Sequence, residues 1–132
     1  MPQLAKGGKW VFGWSVVDAN RQFRIPPEAW AEYGFSVDDV VFFMRGSRRS
    51  GGFGVSTPSL WPAAFGPAAT CPRFYGEGRF VAVMQVALPV NIPVQPDKHL
   101  LVVRGSGNAL GFLTQGPIYA EALRHSEIEV FL

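Results

Sequence analysis

The sequence predicts a mainly-β fold: two internal repeats, related by a pseudo-two-fold axis, close into one barrel that carries one short helix. Three observations lead there. Residues 39–60 and 98–119 align without a gap, matching Arg45-Gly46-Ser47 with Arg104-Gly105-Ser106, Gly52-Phe53 with Gly111-Phe112, and Pro58 with Pro117. These are six identities in 22 positions, where chance gives roughly one or two. Next, 15 glycines and 11 prolines are spread along the 132 residues, cutting the chain into the short segments and many turns of an all-β protein. Last, the apolar segments between them are short, aromatic and β-branched, as strands are. Two copies are too few for a solenoid, but two can close face to face.

The elements follow in order. Repeat one spans about 9–60. Residues 9–17 form a strand of aromatic and β-branched residues, with Gly13 as a bulge or close-approach point. Asp18-Ala19-Asn20 is turn chemistry, and Gln22-Phe23-Arg24-Ile25 alternates as a half-buried strand does. Pro26-Pro27-Glu28 opens the helix: Pro27 suits its first position, Glu28 favours its positive end, and Gly34 supplies a left-handed cap. Trp30 and Tyr33 share the face that covers the barrel. Residues 40–44 are a continuous apolar run, a strand buried on both sides. A polar, glycine-bounded loop, 45–52, leads to a return strand at 53–56. The connection spans 61–75 and keeps Trp61 and Phe65, aromatics that favour packing over solvation.

Repeat two covers about 76–119, with strands at 79–86, 90–93 and 100–103. Here Ile92-Pro93 answers Ile25-Pro26, and Val94-Gln95-Pro96-Asp97 replaces the helix. The tail, 126–132, alternates as a last strand at an edge. Residues 1–132 thus read as one barrel domain.

Composition narrows the function classes. Hydrophobic residues make up 48% and charged residues 17%, which argues against disorder. No window approaches the ~18 uninterrupted apolar residues of a membrane span, and the first residues lack the apolar run of a signal peptide. Cys71 is the single cysteine, so no intrachain disulfide forms and a cytoplasmic location is expected. The net charge is +2, and the excess lies up to Leu60, with seven basic and five acidic residues against five and five beyond.

From Val16 to Trp30 and from Gly34 to Val40 the chain resembles the AbrB/SpoVT family. The shared pattern is an aspartate and turn (Asp18), an apolar Ile25-Pro26, a short helix, Gly34, and the Asp38-Asp39 turn before a buried strand. The resemblance covers about residues 10–46 and, in degraded form, 79–105. It implies a swapped-hairpin, cradle-loop barrel and a prokaryotic DNA-binding transcription regulator or antitoxin. The family pairs two chains; the tandem copies imply that one chain supplies both halves. Where the family has Gly-Arg, this sequence has Arg21-Gln22. The second copy carries Ala87-Leu88-Pro89-Val90 there, without a basic residue.

For that function the expected contacts with double-stranded DNA are Lys9, Arg21, Arg24, Arg48 and Arg49, positive groups suited to phosphates and groove edges. The alternative is a non-catalytic barrel binding a small ligand or a protein, itself or another. It would use Arg45, Ser47, Arg104 and Ser106 as twin cationic turns for a carboxylate, phosphate or sugar. A structural use of the same arginines, bonding carbonyls across the axis, competes with it. No catalytic set is expected. His99 and His125 lack an acid and nucleophile at motif spacing, Asp38 and Asp39 diverge from one turn, and Cys71 has no visible activating base. No metal cluster, phosphate loop or dinucleotide fingerprint occurs, so no cofactor is expected.

Overall fold

A computed structural model describes residues 10–60, 74–105 and 109–132. Lys9, Ser106, Cys71, Trp61, Phe65 and most of the connection lie outside the described residues. The elements are β1 (Val11–Val16), β2 (Gln22–Arg24), α1 (Pro27–Tyr33), β3 (Val40–Arg45), β4 (Phe53–Ser56), β5 (Phe74–Ala82), β6 (Gln85–Ala87), β7 (His99–Arg104), β8 (Leu110–Leu113), α2 (Pro117–Ala122) and β9 (Val130–Phe131).

The nine strands run in the order β2-β6-β5-β3-β4-β8-β7-β1-β9. The sheet curls until its ends meet: Ser15 on β1 donates its hydroxyl to the Arg24 carbonyl on β2 at 2.7 Å, and the Asp18 amide bonds the Gln22 carbonyl. The result is a nearly closed, mainly-β barrel. Its pairing interlaces the front and back of the chain. β1 pairs with β7, β2 with β6, β3 with β5 and β4 with β8. Phe53 stands opposite Phe112 in the β4–β8 ladder, their rings stacked 5.1 Å apart. A reciprocal exchange holds β2 to β6: Ile25 donates to the Met84 carbonyl and Leu88 to the Arg21 carbonyl. Arg21 and Met84 both take positive φ, 59° and 63°.

Alternation sorts the side chains. Phe12, Phe23, Phe43, Phe53, Val55, Leu110 and Phe112 fill the barrel. Val11, Trp14, Leu101 and Val103 point outward, where α2 and the tail cover them with Ala122 and Ile128. This second layer explains why β7 is apolar at successive positions. Gly13 marks a bulge in β1; its φ is 150°, and a Cβ there would overlap Phe131 and the Glu129 carbonyl of the tail.

Four local expectations give way. The run 79–86 is a hairpin, not one strand, because Val83-Met84 turns between β5 and β6. Residues 90–92 form a turn, so Leu88-Pro89, directly after β6, occupies the place after the strand that Ile25-Pro26 occupies after β2. Among the described residues there are two short helices rather than one. Pro117 opens α2 behind Gly116, at φ 98°, whereas its aligned counterpart Pro58 sits in a turn. Ala120-Glu121-Ala122 continue the run after Pro117, whereas Pro62 stands four residues after Pro58 and would break a helix begun there. The last strand is also shorter, β9 alone, laid parallel along β1. Among the described residues no helix is long and apolar enough to cross a membrane.

Candidate functional site

Arg45-Gly46 ends β3 and Arg104-Gly105 ends β7, and in both the glycine is needed for close approach. A Cβ on Gly46 would overlap the Gly51 carbonyl, and one on Gly105 the Ala109 carbonyl. Ser47 tightens the first turn: its carbonyl accepts from the Gly51 amide at 2.9 Å and its hydroxyl from the Ser50 amide at 3.1 Å.

Between these loops, on the outer face of β4 and β8, lies a cleft of about 280 Å³. Glycines 46, 51, 54, 105 and 111 line much of it with bare backbone, and Arg45, Ser47 and Ser50 supply polar side chains. A backbone-lined hollow beside a guanidinium suits an anion.

The two arginines have different neighbours. Each lies over a ring of the strand paired with its own: Arg104 is 5.9 Å from the Phe12 centroid and 4.9 Å from that of Trp10, and Arg45 is 4.4 Å from that of Tyr75. Arg104 also grips Glu32 of α1 with two hydrogen bonds, of 2.6 and 2.5 Å. The hydrogen bonding from Arg104 holds the Glu32 carboxyl below its usual range, and Glu32 in turn raises Arg104. Beside them the Tyr33 hydroxyl reaches the Ala109 carbonyl at 3.1 Å, with burial pushing its phenol up. Arg45 is exposed and has no ion pair among the described residues. Of the alternative ligand set, Arg45 and Ser47 therefore share the cleft, Arg104 is occupied by Glu32, and Ser106 is outside the described residues.

The four described arginines expected to contact DNA stand in different settings. Lys9 is undescribed. Arg21 turns inward across the loop that follows β6: Nε donates to the Val94 carbonyl at 3.3 Å, Nη1 to that of Pro89 at 3.3 Å, and Nη2 to that of Ile92. The carbonyl-bonding use of arginine, expected of Arg45 and Arg104, falls to this residue instead. Arg24 shares a hollow with Asp18 and Asp97, acids that would repel a phosphate. Arg48 and Arg49 are exposed in the turn between β3 and β4, while β6 and β5 separate β2 from β3 in the sheet.

His125, at the end of α2, sits between Glu127 (2.9 Å) and Glu121 (3.0 Å). His99 contributes an edge contact to Trp14 and its carbonyl to the Tyr119 hydroxyl. Among the described residues no cluster of three metal-ligating side chains is arranged to hold an ion.

Sequence reasoning missed a second cleft, of about 330 Å³, where Tyr75, the loop after β6, Lys98 and the end of β8 meet. Its wall is the segment substituted for a helix, and no motif marks it. No protein-family model matches this chain, and no characterised protein or solved structure is significantly similar to it.

Proposed function

We propose that this chain is a non-catalytic binding barrel whose Arg-Gly-Ser cleft takes the phosphate or carboxylate group of a small ligand. One observation carries the reading. Arg45 and Arg104 end their strands in the same way, yet among the described residues only Arg104 has a carboxylate, so Arg45 brings a positive charge with no described counter-charge to a glycine-lined hollow. Such a cation, with backbone approachable behind it, is the usual means of holding an oxyanion.

Titrating inorganic phosphate into the labelled protein tests this. Saturable shifts of the Gly46, Ser47 and Gly51 amides are expected, together with a rise in melting temperature. Arg45→Ala should abolish both effects, while Arg104→Ala should keep binding and lose stability. No saturation in the millimolar range, or an unchanged response in Arg45→Ala, rejects the reading.

A second reading, a DNA-binding regulator of the AbrB/SpoVT type, draws support from Arg48 and Arg49, adjacent and exposed in one turn. Anisotropy with a mixed-sequence duplex decides it. The regulator reading requires micromolar binding at low salt that weakens steeply as salt rises, and a weaker affinity in Arg48→Ala and Arg49→Ala. Absence of micromolar binding eliminates it.

A further inference from the structure

The second cleft is lined by Tyr75, Ile92, Val94, Lys98, Thr114 and Gln115, among others, and none of its lining residues is acidic. One side is apolar, made by Ile92, Val94 and the Tyr75 ring. The other carries an ammonium, a hydroxyl and a carboxamide. Lys98 lies over the Tyr119 ring, with Nζ 5.0 Å from its centroid, and has no ion pair among the described residues. An aromatic face steadies a cation without neutralising it, so the Lys98 charge remains available to an incoming anion. An amine, by contrast, would meet Lys98 with no acid to receive it.

The wall is set before any ligand arrives. Arg21 fastens the carbonyls of Pro89, Ile92 and Val94, and the Asn91 carboxamide donates to the Tyr75 carbonyl at 2.7 Å. A wall held this way loses little freedom on binding. About 330 Å³ is near the lower end for small-molecule sites, which restricts the occupant to one ring or branched chain with a single acidic group.

We propose that this cleft binds a small carboxylic acid with an apolar body. The carboxylate pairs with Lys98 and accepts from the second N–H of the Gln115 carboxamide, whose first reaches the Arg48 carbonyl, and the body lies against Ile92, Val94 and Tyr75. The site is distinct in lining and ligand from the Arg-Gly-Ser cleft, and either can fail without the other.

The test titrates 3-phenylpropionate into the ¹⁵N-labelled full chain, with propionate and 3-phenylpropan-1-ol as controls lacking the body and the charge. 3-Phenylpropionate should saturate at millimolar concentration and shift the amides of Gly52, Val94, Gln95 and Lys98. Both controls should bind at least about tenfold more weakly, and Lys98→Met should lower the acid's affinity about tenfold with an unchanged melting temperature. The proposal is overturned by no saturable shift, by either control matching the acid, or by Lys98→Met binding like the parent. Shifts confined to Gly46, Ser47 and Gly51 also overturn it, since they place the acid in the other cleft.

Discussion

Arg21 shows how one side chain can be claimed by structure when its sequence context suggests a ligand. Its guanidinium holds three carbonyls of the loop after β6 in a part-buried position, adding a second donor to those of Pro89 and Ile92, which also accept from the Ile92 and Val94 amides. The backbone beneath it sits at φ 59°, a conformation that costs a non-glycine residue roughly 1–2 kcal/mol. Two effects therefore oppose each other at one position, and two substitutions separate them. Arg21→Ala loses the clamp and keeps the strain, for an expected destabilisation of about 2 kcal/mol in urea unfolding. Arg21→Gly loses the clamp but relieves the strain, and should lie about 1 kcal/mol above the alanine variant. Equal stabilities for the two would refute the backbone part, and parental stability in both would refute the clamp. This residue also marks the limit of what the sequence discloses about the site. Arg45 and Ser47 were legible, because the doubled Arg-Gly-Ser singles them out. The difference between Arg45 and Arg104 was not, since it depends on Glu32 lying 72 positions away in the chain. Nor was the fate of Arg21, which is decided by carbonyls in a segment with no motif.

At the scale of elements, the end of α2 and the start of the tail are joined by His125. Both ring nitrogens face carboxylates, Glu127 and Glu121, and Arg124 reaches Glu121 as well, at 3.3 Å. Only the imidazolium can donate to both. Hydrogen bonding from Glu127 first, and Glu121 next, accordingly raises His125 above its ordinary 6.5, and His125 lowers Glu127. A raised histidine contributes stability that is fully present below its unfolded value and is lost as pH climbs through the folded one. The Glu127 contribution is present above its ordinary 4.5 and is lost as acid titrates it. The melting temperature should thus peak between these limits and fall as pH climbs above 6.5. His125→Gln should flatten the alkaline fall, and amide exchange of residues 128–131 should quicken on that limb. A parental profile in the variant would show that the clamp does not hold the tail. Elements differed in how well the sequence announced them. α1 was legible because Pro27 and Gly34 bracket it, and β3 because its apolar run is uninterrupted. The 83–97 stretch was not: a two-residue turn at Val83-Met84 carries no glycine or asparagine, and Met84 adopts positive φ regardless. α2 was masked by the alignment of Pro58 with Pro117, where the same residue serves a turn in one place and a helix start in the other.

For the molecule as a whole, the decisive property is that the front and back of the chain complete one another. Among the described residues, the ladders within residues 10–60 are limited to β3–β4, and those beyond residue 73 that stay there are β5–β6 and β7–β8. All other pairings cross between the two parts, including β1 with β7 and β4 with β8. Phe23 meets Phe112, and Trp30 meets Phe80, across the same divide. Isolated hairpins are marginal in water, and either part alone would expose one face of the barrel's interior. Fragments 1–66 and 67–132, made separately, should each give poorly dispersed amide spectra and no cooperative thermal transition. Mixed in equal amounts they should recover the spectrum of the intact chain, with a melting temperature that rises with concentration, as an association requires. Joining them in one chain supplies the effective concentration that makes the barrel stable at any dilution. Long-range pairing of this kind also closes late, so the intact protein should fold in milliseconds to seconds rather than microseconds. A cooperative transition in either fragment by itself would mean that one part carries a core of its own, and would contradict the interdependence that the ladders describe.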